Sequence, residues 1–304
     1  MVISQRKERA ISHVEAEIAS QPDCWVRAIA RSRQPIDLPE KGERVAVIGC
    51  GTSWFMAQSY AWLREHAGHG QTDAFTASEN GLGLRQYDRV LLISRSGYTT
   101  EILNVVESIG AGTRLSAMTA DPGSPLAEIV KDAIVLDWAD EQSVVQTRFA
   151  TSALVTLRSS LGEDLSGLAD GARLALETPI DPELRAARQI TFVGRGWGIG
   201  IASEAALKLR EAAQLWTECY PAMEYRHGPI SIAEPGRLVW SLGTTPSGLA
   251  DDVARTGAHF VESLVDPLID LVQVQRLAAA IGADEHLDVD NPRNLTRAVT
   301  LSDH

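Results

Sequence analysis

Positive charge, cysteine and long apolar runs are all in short supply in this chain. Of its 304 residues, 28 are Lys or Arg against 40 Asp or Glu, a formal net charge of −12. A protein that neutralises nucleic-acid phosphates carries a basic stripe, and none is present, so no nucleic-acid partner is expected. A small anion remains open, because one local donor-rich loop can hold it against an acidic background. Cys24, Cys50 and Cys219 lie far apart and form no C-x-x-C pair. That argues against a disulfide framework and a zinc site; no metal and no cofactor are expected. The N-terminal MVISQRKERAISHVEAEIASQ is charged and lacks a continuous apolar stretch, so it does not read as a secretory signal. No apolar run approaches the length of a membrane span, and a reducing cytoplasm is the plain expectation, with no membrane partner.

What is present is ordinary for a globular protein: 44% hydrophobic and 22% charged residues, in a chain long enough to bury a sizeable core. Residues 4–32 read as a helix interrupted at Pro22, followed by a Pro/Gly link and a buried-type strand, Arg44–Gly49. Further strands are predicted at Asp73–Thr76, Val90–Ser94, Leu115–Thr119 and Ala133–Leu136, with helices at Trp54–His66 and Thr100–Ile109. This alternation indicates βαβ units and parallel sheets. The pattern then restarts. VAVIGCGTSWFMAQSYAWLRE (45–65) parallels ITFVGRGWGIGIASEAALKLRE (190–211), and RVLLISRSG (89–97) parallels GRLVWSLGTTPS (236–247). Two such units in one order predict two tandem, doubly wound parallel-sheet α/β domains. The divisions expected are an N-terminal helical segment 1–33, a first domain 34–162, a helical linker 163–182, a second domain 183–287 and a tail 288–304.

Two loops of the first unit can hold a ligand. Ser94-Arg95-Ser96-Gly97-Tyr98-Thr99 joins a strand to a helix, where free backbone N–H groups and the helix dipole favour an anion. Ordinary capping needs one hydroxyl; three hydroxyls, a Gly and an Arg within six residues point to phosphate. Gly49-Cys50-Gly51-Thr52-Ser53 is the matching loop of the first strand. It lacks the full dinucleotide fingerprint, since position 54 is Trp, and it would open beside the phosphate loop, where parallel sheets bind ligands.

On the helix expected at 201–216, Glu204, Lys208 and Glu211 share one face beside an apolar stripe of Ala202, Ala205, Leu209, Ala212 and Trp216. Alone, that is a surface ion pair. The next stretch, ECYPAMEYRHGPISI (218–232), reads as a long irregular segment carrying His227, which is uncommon in a compact domain unless it functions.

GCGTS (49–53), SRSGYT (94–99), EAALKLRE (204–211), ECYPAMEYRHGP (218–229) and DVDNPRNLTRAVT (288–300) resemble, in this order, the isomerase half of glucosamine-6-phosphate synthase. More broadly they resemble proteins with two sugar-isomerase (SIS) domains, from about residue 12 to residue 301. The resemblance implies flavodoxin-like SIS domains and a phosphate loop with Ser94, Ser96 and Thr99 as hydroxyl donors. In that loop Arg95 replaces the synthase's Gln, a change compatible with tighter phosphate pairing. Gly51, Thr52 and Ser53 would lie along the sugar. So would EQSVVQTR (141–148), with Val144 as its substrate-binding position, though this segment differs from the synthase. Glu211 falls on the base that moves a proton between C1 and C2, Lys208 on a neighbouring active-site lysine, and His227 on the ring-opening acid/base, donated by the partner of a homodimer. The tail would close the site. There Arg297 stands where the family has a Schiff-base lysine; a guanidinium stays protonated and forms no imine, but can bond a sugar oxygen or phosphate.

These residues suit an aldose–ketose interconversion. A His titrating near neutrality opens the ring, and a carboxylate on an apolar helix face has its pKa raised toward the working range. Two activities share that step: isomerisation of a 6-phosphorylated sugar, and isomerising deamination of an amino sugar such as glucosamine 6-phosphate. With no N-terminal Cys nucleophile and no room for a glutaminase domain, glutamine-dependent synthesis is not expected. The alternative from another class is a sugar-phosphate-binding sensor that performs no chemistry.

Overall fold

The computed structural model describes residues 10–110 and 112–301. The N-terminal segment forms two helices, α1 (His13–Ala19) and α2 (Gln21–Ser32). The single helix expected over 4–32 is thus divided at Ser20, and residues 4–9 lie outside the described part. Pro22 does not interrupt a helix. It sits in the first turn of α2, where a missing N–H costs nothing.

The first unit runs β1 (Val45–Gly49), α3 (Thr52–His66), β2 (Thr72–Thr76), β3 (Arg89–Ile93), α4 (Thr100–Ser108), β4 (Arg114–Thr119), α5 (Pro125–Ile129) and β5 (Ile134–Val135). After α6 (Arg148–Ser160), α7 (Leu168–Glu177) and α8 (Pro182–Ala186), the second unit runs β6 (Gln189–Gly194), α9 (Gly198–Ala212), β7 (Trp216–Pro221), β8 (Leu238–Leu242), α10 (Leu249–Ala254) and β9 (His259–Glu262), closed by α11 (Pro267–Asp284). The sheets have strand orders β2-β1-β3-β4-β5 and β7-β6-β8-β9, and every pairing is parallel. The expected α/β class and its two doubly wound sheets are what the chain forms.

The central strands VAVIG, RVLLI, QITFVG and LVWSL are buried along their whole length, as strands covered by helices on both faces must be. One apolar core spans both sheets, from Val47, Met56 and Leu91 through Phe149 to Phe192, Leu209 and Leu271. Phe149 and Phe192 are fully buried, and each contributes on the order of 1.5–3 kcal/mol of transfer free energy. The stretch read as a linker contributes to this core: Ala172 and Ala175 of α7 are buried in it.

Two elements differ from the sequence reading. The helix expected to reach residue 216 ends at Ala212, and Trp216 is the first residue of edge strand β7 with 74% of its surface exposed. The segment 218–232 is irregular only in part: Glu218–Pro221 pair with β6, and short 3₁₀ turns follow at Glu224–Arg226 and Pro229–Ile232. An edge strand with polar and aromatic residues lacks the apolar alternation that marks buried strands.

The units meet helix on helix. Cβ at Gly200 of α9 would lie 2.4 Å from the Phe55 carbonyl oxygen and 2.3 Å from Ser59 Oγ, both on α3. The missing side chain lets the helices touch through their backbones, and Ser59 Oγ donates to the Trp197 carbonyl at 2.9 Å. The N-terminus of α3 is thereby brought against α9.

Candidate active site

Thr52 opens α3 at the carboxyl end of β1, and Lys208 lies about one turn from the end of α9. Lys208 Nζ donates to Thr52 Oγ1 at 3.1 Å and to Glu211 Oε2 at 2.5 Å, and pairs with Glu204 Oε1 at 3.4 Å. The i, i+4 and i, i+3 spacing of Glu204, Lys208 and Glu211 is therefore no surface pair. The Glu204 and Lys208 side chains are 1% exposed. A buried ammonium held by two carboxylates and a hydroxyl is fixed in place, because leaving any of them costs a desolvated charge. Burial works against the Lys208 charge, yet Glu204 and Glu211 outweigh it and raise its pKa. Burial pushes the Glu204 carboxyl upward, opposed by Lys208 and helped by Glu211. The desolvated carboxyl expected at position 211 is thus found at Glu204. The Glu211 side chain is 18% exposed and borders a cavity of about 450 Å³ shared with Leu207, Arg210, Trp216, Arg293 and Leu295.

At the neighbouring switch point, between β1 and β3, lies the second loop. Ser94 and Ser96 are buried, and their hydroxyl oxygens accept the amides of Gly97 and Tyr98 at 3.2 Å each. Accepting leaves each hydroxyl proton free to donate. Thr99 precedes α4 without a side-chain capping bond. Gly97 has φ +69°, and a Cβ there would meet Ser124 Oγ at 2.2 Å, so the loop's close turn requires glycine. Gly51 (φ +53°), Thr52 and Ser53 form the adjacent β1 turn, and Ser53 is buried with its amide on the Cys50 carbonyl.

Arg95 departs from the expectation of a phosphate donor. Its Nη1 donates to Glu141 Oε2 at 3.2 Å and to the Ser143 carbonyl at 3.1 Å. Its Nη2 donates to the carbonyls of Val144 and Arg297, both at 3.1 Å. Carbonyls and a carboxylate, all acceptors, have collected the fork. Arg297, with its side chain 36% exposed, bonds the Glu141 carbonyl and the Asp140 carboxylate through its guanidinium. Val144 has both backbone groups committed, its amide to the Asp290 carbonyl at 2.8 Å and its carbonyl to Arg95, with its side chain half-buried. His227 lies exposed after β7, its amide on the Glu224 carbonyl, and its side chain makes no bond among the described residues. Within one chain it is not joined to Glu211.

Sequence reasoning missed two groups. Glu141 is buried, and one oxygen accepts Thr147 N, Thr147 Oγ1 and Arg148 N at 2.5, 2.9 and 2.8 Å, anchoring the start of α6. Glu17 of α1 accepts Gln142 N at 2.5 Å and the Ser143 hydroxyl. Its pKa is raised by burial, which the Ser143 bond opposes. Neither carboxylate has a sequence spacing that marks it; both are recognisable only from what they touch.

No family model matches the chain. It is 29% identical over 317 residues to a glutamine–fructose-6-phosphate aminotransferase (isomerizing) of Gloeobacter violaceus, covering 85% of this chain and 52% of that protein. The chain spans about half the length of the curated relatives it matches. A glucosamine-6-phosphate deaminase structure from Thermotoga maritima superposes with a TM-score of 0.79 at 22% identity, covering 95% of this chain and all (100%) of that one. The C-terminal domain of a glucosamine-fructose-6-phosphate aminotransferase from Francisella tularensis gives 0.77 at 20% identity, covering 94% and 99% of the two chains. In sequence the chain is thus similar to the glutamine–fructose-6-phosphate aminotransferases along most of its length, and it has the two-sheet fold of the SIS phosphosugar isomerases.

Proposed function

We propose that the chain is a phosphosugar isomerase of the aldose–ketose type, acting on a 6-phosphorylated sugar, or on an amino sugar with release of ammonia. The observation that carries this is the buried Lys208, held by Glu204, Glu211 and Thr52 where the two units meet, beside a loop of unspent hydroxyls. The phosphoryl group would take the protons of Ser94, Ser96 and Thr99 at the start of α4, where the helix dipole adds to them. That leaves the sugar's first two carbons toward α9. The Glu211 carboxylate removes the proton from the carbon beside the carbonyl, the C–H pair becomes the C1–C2 double bond, and the carbonyl oxygen takes the negative charge. The Lys208 ammonium stabilises that charge without having to move. Glu211 returns the proton to the carbon that had carried the carbonyl, while the hydroxyl proton on the adjacent carbon passes to the former carbonyl oxygen, so the carbonyl moves over by one carbon and the shift is complete. The fixed burial of Lys208 and the partial exposure of Glu211 support this division of roles.

Ring opening falls to His227. Its exposure suits donation to a neighbouring subunit, so we propose a homodimer in which each chain completes the other's site, and a cytoplasmic setting for both. Arg297 supplies no imine-forming amine, and its guanidinium is bound to the loop 140–141. Any imine nitrogen would have to come with the substrate.

The test is turnover of fructose 6-phosphate and glucosamine 6-phosphate in deuterated water. Interconversion or ammonia release with solvent deuterium at C1 or C2 is the expected result. Tight binding of either sugar phosphate with neither turnover nor isotope exchange would overturn the enzyme reading in favour of a sensor.

A further inference from the structure

Three segments far apart in sequence meet at one buried ion pair. The side chains of Arg95 and Glu141 are 1% and 0% exposed, 3.2 Å apart. Arg95 belongs to the phosphate loop, Glu141 to the segment leading into α6, and the carbonyl of Arg297, a third partner, to the tail. Four acceptors therefore share the two terminal nitrogens of Arg95, and its Nε is buried without a partner among the described residues. Around the pair the same segments are sewn together again. Thr100 N donates to the Val299 carbonyl at 3.1 Å, Leu301 N to Thr100 Oγ1 at 2.9 Å, and Val144 N to the Asp290 carbonyl at 2.8 Å. The first of these uses an amide at the start of α4, so the tail crosses directly over the phosphate loop.

We propose that Glu141 is a positioning residue. Through Arg95 it latches the tail over the phosphate loop, and phosphate ligation is left to the hydroxyls of Ser94, Ser96 and Thr99. A buried ion pair is weak evidence for stability, because desolvation offsets its attraction, but its geometry is strongly determined. Here the geometry is also transmitted. The second oxygen of Glu141 is fixed to the first turn of α6, so the height of Arg95, and with it the Arg297 carbonyl, is set by a helix of the shared core. A lysine at position 95 would be a poor substitute, since only a planar fork reaches several carbonyls in one plane.

The inference rests on the phosphate reading of Ser94–Thr99, and its test separates the two. In the double variant Arg95→Gln/Glu141→Gln the charges leave together and two amides can bond each other, so no unpaired charge is buried. Amide hydrogen exchange at Thr100, Val144 and Leu301 should quicken at least tenfold while β1 and β6 amides stay unchanged. Affinity for inorganic phosphate, from a thermal-shift titration, should stay within threefold. Exchange unchanged at those three amides would overturn the latch. Phosphate affinity lost in step with faster exchange would make Arg95 a phosphate ligand and overturn the division of labour. A native chain that binds no phosphate would sink the reading of the loop, while the exchange comparison still decides the latch. Should the double variant not fold, Arg95→Lys keeps the charge pair but not the fork, and the same amides and the same titration decide.

Discussion

The two units share a strand order at their centres and differ at what leaves the strands. β1 and β6 end in a Gly turn and enter fifteen-residue helices, and β3 and β8 lie beside them in the same register sense. Yet β3 ends in Ser94-Arg95-Ser96-Gly97 and feeds a nine-residue helix, whereas β8 ends in Gly243-Thr244-Thr245-Pro246 and feeds one of six. The long helices diverge as well. Near the end of α3, Glu65 accepts the Thr72 amide at 2.8 Å and serves the fold. At the matching place in α9, Glu211 faces Lys208. One scaffold, built twice, carries a hydroxyl-rich loop in one copy and a buried Lys–Glu cluster in the other, and Thr52 joins the copies at Lys208; in the proposed function the first holds the anion and the second reacts.

The sharpest way to break that comparison is to exchange the matched glutamates for glutamine. Glu211→Gln should lower kcat for sugar-phosphate isomerisation by about a thousandfold, within the range for a lost general base, with folding intact by circular dichroism. Glu65→Gln should leave kcat within twofold in the same assay. Equal losses would mean that α9 carries no special role. The next contrast lies between the loops: Ser94→Ala/Ser96→Ala should raise KM roughly ten- to hundredfold, as hydrogen bonds to a charged group are worth about 1.5–3 kcal/mol, while Thr244→Ala/Thr245→Ala should leave KM unchanged.

The smallest contrast is in pH. Asp270 of α11 is buried, and burial pushes its pKa from 3.8 to about 7, opposed by a Ser263 hydrogen bond and helped by the charge of Asp266. A carboxyl whose folded pKa is raised binds its proton more tightly folded than unfolded. Its contribution is complete below pH 3.8 and is lost as pH rises toward about 7. Glu204, pushed the same way, adds the same sign. Denaturant unfolding should therefore show the native chain losing stability between pH 5 and 7, by on the order of 2 kcal/mol from Asp270, and Asp270→Asn should remove that share of the slope.

Much of this architecture was legible in the residues. The buried strands announce themselves as apolar runs, the duplication as two matched strand–turn–helix stretches, and the tight loop after β3 as hydroxyls crowded around Gly97. The i, i+3 and i, i+4 spacing placed Glu204, Lys208 and Glu211 on one face, but spacing cannot tell a solvated face from a buried one; Thr52 and the helix α3 seated against Gly200 decide that, from the other unit. Edge strand β7 is hard to see in the residues, because a strand with one neighbour needs no apolar alternation. Arg95, with hydroxyls beside it in sequence, suggests a phosphate donor. Its actual partners, Glu141, Ser143, Val144 and Arg297, are 46 to 202 residues away, and no local pattern reports acceptors that arrive by folding.

The backbone contact at Gly200 has a thermodynamic side. Neither half possesses a complete wall of its own: α3 and α9 each form part of the other's interior, through a point where even a methyl group has no space. Melting one half would strip the other of a face it cannot replace, so the repeat that looks like two bodies in the chain is expected to unfold as one when heated.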